Sequence, residues 1–311
     1  MKKTVIVIVG PTAVGKTKLS IEIAKRFNGE IISGDSMQVY KGMDIGTAKI
    51  TEEEMQGIKH YMIDMKNPDE DFSVADFQYY VQTYINEISA RGKTPIIVGG
   101  SGLYIQAALY NYNFSNQKRD DSVTNYLEKV IEKEGIQPLY DRLRKLDPGQ
   151  ADKIHPNNHR RVIRALEIYE TTGMTMTEYQ QEQKRDSVYN EIMIGLEMDR
   201  ELLYKRINQR IDVMLESGLV NEVKHLYEQG FEKCQSLKAI GYKEFIPYIN
   251  GEQQIGQCIE LLKRNSRRYA KRQYTWFKNK MDITWYGLTP ETSDITFEII
   301  LNELAGVLKN K

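Results

Sequence analysis

Residues Thr4 to Val9 are β-branched and continuously apolar, the pattern of a strand covered on both faces, as in a parallel sheet. A Gly-rich turn follows, then a helical segment from about Gly15 to Phe27. Glu30 to Ser33 predicts a second short strand, which runs into the Gly- and Asp-rich loop GDSMQVYKGMDIGTAK. Ser73 with Asp76 three residues later predicts a helix N-cap box. Behind it Phe77, Tyr80, Val81, Tyr84, Ile85 and Ile88 recur at helical spacing as one apolar stripe that ends near Gly92. Pro95 to Val98 is another buried strand, closing on Gly-Gly-Ser-Gly. Strand, loop, helix and strand in alternation predict an α/β fold around a parallel sheet.

The texture changes after Asn111. Residues 112–190 carry almost no strand-like run; polar stretches (NFSNQKRDDS, QKRDSVYN) flank helical patterning. This predicts a helical subdomain, 112–190, inserted into an α/β core made of 1–111 and 191–311. EIMIGLEM then returns as a strand, and a helical C-terminal part follows. With 311 residues and 41% hydrophobic residues the chain has enough apolar side chain for two such units.

Charge adds one distinction. Forty-three basic residues balance 43 acidic ones, which excludes a uniformly basic coat but not local patches. Thr51 to Ala90 holds nine acidic and two basic residues, whereas Lys263 to Lys280 holds eight basic and no acidic ones. Two cysteines, Cys234 and Cys258, make neither a metal cluster nor a disulfide framework, as expected in a reducing compartment. The apolar run Val5 to Val9 is too short for a signal-peptide core, and no stretch approaches the roughly 18 apolar residues that span a bilayer. A cytoplasmic protein with no membrane partner is expected.

The strongest chemical signal is Gly10-Pro11-Thr12-Ala13-Val14-Gly15-Lys16-Thr17, which fits GxxxxGK[ST] between a buried strand and a helix. Backbone N–H groups of such a P-loop curl around phosphate oxygens, and the helix N-terminus adds partial positive charge. Lys16 is placed to neutralise terminal phosphate charge, and the Thr17 hydroxyl to ligate a magnesium ion. The motif calls for a di- or triphosphate without saying which. The strand at Ile96 to Val98 ends in glycines rather than in the magnesium-binding Asp of a standard NTPase. The first acid after a strand is Asp35; parallel strands aim their C-terminal ends at one crevice, so Asp35 can lie beside the phosphate loop. There it can ligate a metal or take a proton from an attacking group. Ser101, in a second Gly-rich strand-to-helix turn, can meet the same phosphates from the other side.

Two basic clusters point to a larger partner. Arg264, Arg268, Lys271 and Arg272 share one helix face, with Ile259, Leu262 and Tyr269 turned elsewhere to pack inward and Tyr274, Trp276 and Phe277 following. Cations beside aromatic rings suit a phosphate backbone with unstacked bases, as in loop RNA. In His155-Pro-Asn-Asn-His159-Arg160-Arg161-Val162-Ile163-Arg164, Arg160 and Arg164 lie one turn apart, opposite Val162, Leu166 and Tyr169. Pro156 and the Asn pair start that helix, which sets its arginines near a positive helix end that attracts phosphates. The HxxxH spacing of His155 and His159 lacks the glutamate of a zinc motif, and Pro156 interrupts it.

Taken together, GPTAVGKT (10–17), SGDSMQVYKGMDIGTAK (33–49), VGGSGLY (98–104), IHPNNHRRVIRALE (154–167), AIGYKEF (239–245) and YAKRQYTWF (269–277) resemble the tRNA dimethylallyltransferase, or tRNA isopentenyltransferase, family in its own order. Gly34 stands where that family often has Ala, and Ser101 where it often has Thr. The resemblance implies that the P-loop holds the diphosphate of dimethylallyl diphosphate rather than ATP. The N6 amine of the adenine just 3′ of the anticodon, flipped from its loop, then attacks the allylic carbon and diphosphate leaves. It implies Asp35 as proton acceptor, with Lys16 and Ser101 serving catalysis and magnesium as cofactor. Asp35, Ser36, Met37, Gln38 and Ser101 would lie against the tRNA. Arg160, Arg161 and Arg164 would grip the anticodon arm from the insert, and Arg268 and Arg272 from the C-terminal helix. The protein is expected to act as a monomer.

Three rivals share parts of this pattern. A small-molecule or nucleoside kinase would use the same loop and use Asp35 to activate a hydroxyl. An adenylate prenyltransferase would act on a free nucleotide. An RNA-binding NTPase-like switch would show nucleotide-dependent RNA affinity and modify no base.

Overall fold

In the computed structural model, which describes residues 2–112, 114, 121–182 and 187–309, one six-stranded sheet organises the core. Its strands are β1 (Thr4–Val9), β2 (Gly29–Gly34), β3 (His60–Tyr61), β4 (Thr94–Gly99), β5 (Asn190–Glu197) and β6 (Thr284–Gly287). They lie in the order β3-β2-β4-β1-β5-β6, and every neighbouring pair is parallel. Val5 to Val9 are fully buried, as a strand covered on both faces requires.

Helices follow from the same patterning. The helix Lys16–Arg26 buries Leu19, Ile21, Ile23 and Ala24. The helix Val74–Ala90 opens on the Ser73/Asp76 capping box and buries Phe77, Val81, Ile85 and Ile88. Tyr80 and Tyr84, also on the expected stripe, sit at its half-exposed margin. The C-terminal part contains the helices Arg200–Glu216, Leu219–Glu228, Ile255–Lys280 and Ser293–Lys309. It also adds β6 at the sheet edge, where only helix was expected. Four residues on a partly solvated edge carry too little alternation to announce a strand. The two-residue β3 escaped notice for the same reason.

The chain divides into two compact units, Met1–Leu109 with Ser187–Lys311, and Tyr110–Asp186. The second contains five helices among its described residues. Its own core is built from Leu127, Leu139, Leu143, Ile154, Val162 and Leu166. The division differs from the expected 112–190 chiefly at its end. Val188 N–H donates to Leu109 O and Asn190 N–H to Lys3 O, so 187–190 already belong to the sheet-bearing unit. The polar stretches expected to flank the insert lie largely outside the described residues. Among the described residues, no helix is long and apolar enough to cross a membrane.

Register is what creates a site. Val9 pairs with Gly99 and with Gly195, and Gly99 pairs with Gly34. β1, β2 and β4 therefore end level, with β5 running two residues further, and the loops that follow these three strands leave from one edge. Gly99 is required there: a Cβ on it would stand 2.2 Å from Gly34 O.

Candidate active site

A cavity of about 740 Å³ opens at that edge. Thr12 to Thr17 form one wall, Asp35 and Gln38 another, and Gly99 and Gly100 a third. Leu202, Lys205, Arg206, Gln209 and Arg210 come from the Arg200–Glu216 helix, and Tyr269 and Gln273 from the long helix Ile255–Lys280.

The phosphate loop turns into its helix through Gly15, whose φ of +117° no side-chain-bearing residue adopts readily. Lys16 folds back on the loop, its Nζ donating to Gly10 O at 2.9 Å and Pro11 O at 2.7 Å. Burial and the nearby Arg210 charge pull the Lys16 ammonium down to about 7, against the opposing pull of Asp35. Thr17 is exposed at the first turn and reaches the cavity.

Asp35 follows directly on β2. Its Oδ1 accepts the Met37 N–H at 2.8 Å. Burial raises its carboxyl above the ordinary range, although that amide and the charges of Lys16 and Arg210 oppose the rise. A carboxylate with a raised pKa is a better proton acceptor than a free one. Gln38 is held by both ends of its amide: Ser33 Oγ donates to its Oε1 at 2.8 Å, and its Nε2 donates to Thr47 O and Ala48 O at 3.3 Å each.

Ser36, Met37 and Ser101 do not line the cavity. The Ser101 hydroxyl accepts the Ser36 N–H at 3.4 Å and shares a hydrogen bond with Tyr269; Ser36 is joined to Tyr104 in the same way. Ser101 thus ties the Asp35 turn to the long helix, and the glycines before it, rather than its own side chain, face the cavity.

Three contributors were missed in the sequence. Arg210 donates to Thr12 Oγ1 at 3.5 Å and is coupled electrostatically to both Lys16 and Asp35. Burial lowers its pKa, and Asp35 pulls the other way. Its only advance signal was the spacing of Arg206 and Arg210, one turn apart and bordering the apolar stripe of Leu203, Ile207 and Ile211. Gln273 bridges two loops, accepting the Thr12 N–H at 2.9 Å and donating to Gly100 O at 3.1 Å. Tyr269, expected to pack inward with Leu262, instead presents itself to the cavity; burial and the Asp35 charge push its hydroxyl up to about 12.

The expected basic faces exist. Arg264, Arg268, Lys271 and Arg272 are exposed on one side of the long helix, and Arg272 lies over the Tyr269 ring at 5.7 Å. In the helical unit, Arg160, Arg161 and Arg164 are exposed at the start of the helix His159–Thr172, which Asn158 caps. Arg164 also reaches Glu167 at 3.2 Å. Among the described residues no three His, Cys, Asp or Glu side chains converge as a metal cage.

Residues 38–280 match the IPP transferase family. The chain is 63% identical over 311 residues to a tRNA dimethylallyltransferase of Oceanobacillus iheyensis, covering 100% of this chain and 99% of the relative. It is similar to the crystal structure of a full-length tRNA isopentenylpyrophosphate transferase from Bacillus halodurans, with a TM-score of 0.76, 52% identity and coverage of 100% and 98%. It is also similar to a eukaryotic dimethylallyltransferase acting on tRNA, with a TM-score of 0.80, 36% identity and coverage of 94% and 75%.

Proposed function

The chain belongs to the IPP transferase family, and we propose that its cavity binds dimethylallyl diphosphate and passes the prenyl group to N6 of the adenosine 3′ of the anticodon in tRNA. The observation that carries this is the meeting of Lys16, Arg210 and Asp35 in one cavity, where the Asp35 charge acts on both cations and both cations act on Asp35. Cations on one side and the Asp35 carboxylate, its pKa raised by burial, on the other suit a reaction that expels diphosphate and sheds one proton.

The diphosphate lies on the amides of Thr12 to Thr17, with Lys16 and Arg210 against its oxygens and Lys205 and Arg206 nearby. The Thr17 hydroxyl, exposed at the helix start and lining the cavity, fits a magnesium ion, which typically takes one or two protein oxygens and fills its shell from phosphate and water. When bound, that ion supplies further neutralisation of the leaving group. The adenine N6 forms a bond to the allylic carbon as the carbon–oxygen bond breaks, and the bonding pair leaves on diphosphate. Asp35 accepts the N6 proton. An exocyclic amine conjugated with its ring is a weak nucleophile, so removing that proton during attack lowers the barrier. Preorganised cations stabilise charge where it develops, on the departing oxygen. Arg160, Arg161, Arg164, Arg268 and Arg272 then serve as phosphate contacts for the RNA.

Incubation with dimethylallyl diphosphate, magnesium and unmodified tRNA should add a five-carbon unit to adenine, read by nucleoside mass spectrometry. Phosphate transfer from ATP, or prenylation of free AMP in preference to tRNA, would overturn the reading.

A further inference from the structure

Outside the cavity, Glu222 makes an arrangement that the reaction above does not use. It stands in the first turn of the helix Leu219–Glu228, where negative charge is favoured. Its Oε2 accepts the N–H groups of Asp44 (3.0 Å) and Ile45 (2.8 Å), and its Oε1 those of Gly46 (3.0 Å) and the Tyr242 hydroxyl (2.6 Å). Three consecutive backbone amides and a phenol converge on one carboxylate.

The clamped loop is closely fitted from below. A Cβ on Gly46 would stand 2.5 Å from the Tyr242 ring, so only glycine allows the approach. Lys49, almost fully buried, holds the far end of the loop through Tyr40 O, Asp44 and Asp64. Immediately after the clamped amides come Thr47 O and Ala48 O, the two carbonyls that receive the Gln38 amide nitrogen. Thr47, Ala48 and Gln38 all line the cavity.

We propose that Glu222 is a positioning residue for the acceptor base: by fixing residues 44–46 it fixes the carbonyls of Thr47 and Ala48, and through them the orientation of the Gln38 amide. With Nε2 committed to two carbonyls, Gln38 turns its oxygen, which retains a lone pair, toward a hydrogen-bond donor such as an adenine amine. If the loop relaxes, the amide is free to flip and present a donor instead, which opposes an amine. The carboxylate is necessary rather than convenient. An amide in its place exchanges one acceptor oxygen for an N–H₂ group that faces other donors. This inference rests on the function proposed above, in which Asp35 receives the N6 proton, and sets the base against Gln38, which lines the same cavity.

The test compares Glu222→Gln with wild type below the melting temperature of both. Three readouts are taken: hydrogen exchange of a peptide spanning 43–48, affinity for dimethylallyl diphosphate, and the single-turnover rate of tRNA prenylation with donor prebound. Expected are faster exchange in that peptide, donor affinity within about twofold of wild type, and a turnover rate lower by about tenfold or more, as for the loss of one to two charge-assisted hydrogen bonds. Faster exchange with an unchanged rate would overturn the inference, as would unchanged exchange. A fall in donor affinity that accounts for the whole loss of rate would also overturn it. Tyr242→Phe keeps the ring beneath Gly46 and removes one donor. Should Glu222→Gln not fold, a smaller change of the same pattern in this variant supports the inference and wild-type behaviour refutes it. If wild type itself leaves tRNA unmodified, the proposed function fails instead.

Discussion

Donor binding should draw a proton from solvent onto Lys16. In the free site this ammonium titrates at about 7, because burial and the Arg210 charge disfavour its cationic form. A diphosphate oxygen at about 3 Å is worth about 5 kcal/mol per net unit charge at an effective dielectric constant of 20, or about four pKa units. That restores the Lys16 pKa to near its ordinary range, so the bound form is fully protonated at neutral pH. The free form is about half protonated at pH 7 and about one-tenth protonated at pH 8, so binding should take up about 0.5 and about 0.9 proton respectively. At pH 8 the ligand's own phosphate ionisation, near pH 6, is complete and contributes little. Isothermal titration calorimetry with dimethylallyl diphosphate, magnesium and no tRNA reads the count directly, as the slope of apparent enthalpy against the ionisation enthalpy of the buffer. Lys16→Arg supplies the control, since a guanidinium does not titrate; its uptake should be near zero whatever its affinity. No uptake by wild type at pH 8, or equal uptake by Lys16→Arg, would refute the reasoning.

Further outcomes test other parts of the molecule. Asp35→Asn should lower the prenylation rate by about 10²- to 10⁴-fold while leaving donor affinity near wild type, checked by single-turnover kinetics and calorimetry; near-normal turnover would remove Asp35 from the role of base. Because burial raises the Asp35 pKa and the active form is the carboxylate, wild-type rates should climb with pH on the acid side, and the climb should vanish in Asp35→Asn. Replacing Arg160 and Arg164 together by Gln should weaken tRNA binding and flatten the dependence of log affinity on log salt by about 1 to 2 units; an unchanged slope would mean that neither meets a phosphate. Glu30, almost fully buried, is held by Lys93, Tyr61 and Arg91 at 2.6 to 2.8 Å. Burial alone would raise its carboxyl, but these three donors outweigh it and bring it down to about 2. Its stabilisation is therefore complete above the unfolded value near 4.5 and fades as pH falls toward 2. Glu30→Gln should melt about 4 °C or more below wild type at pH 7 and approach it near pH 2.

The sequence on its own determined the parts that depend on local order. The apolar run before Gly10, the spacing of GPTAVGKT and the capping box at Ser73 each specify backbone geometry through neighbours a few residues away, and the structure contains each of them. The same holds for the family, because segments such as DSMQVYKGMDIGTAK preserve residue identity in order, and identity in order is what a linear string records. Tertiary structure decided which side chains share a cavity. Arg210 and Gln273 are 198 and 261 residues away from Thr12, yet each bonds to it. No periodicity links them; level strand ends and the packing of two helices across them do. Glu222 likewise reads as an ordinary first-turn acid until the fold brings three amides of a loop 176 to 178 residues away onto its oxygens. Sequence sets which groups are available within reach of one another along the chain, whereas desolvation and charge coupling, which give Lys16 and Asp35 their altered acidity, arise only when distant segments exclude water together.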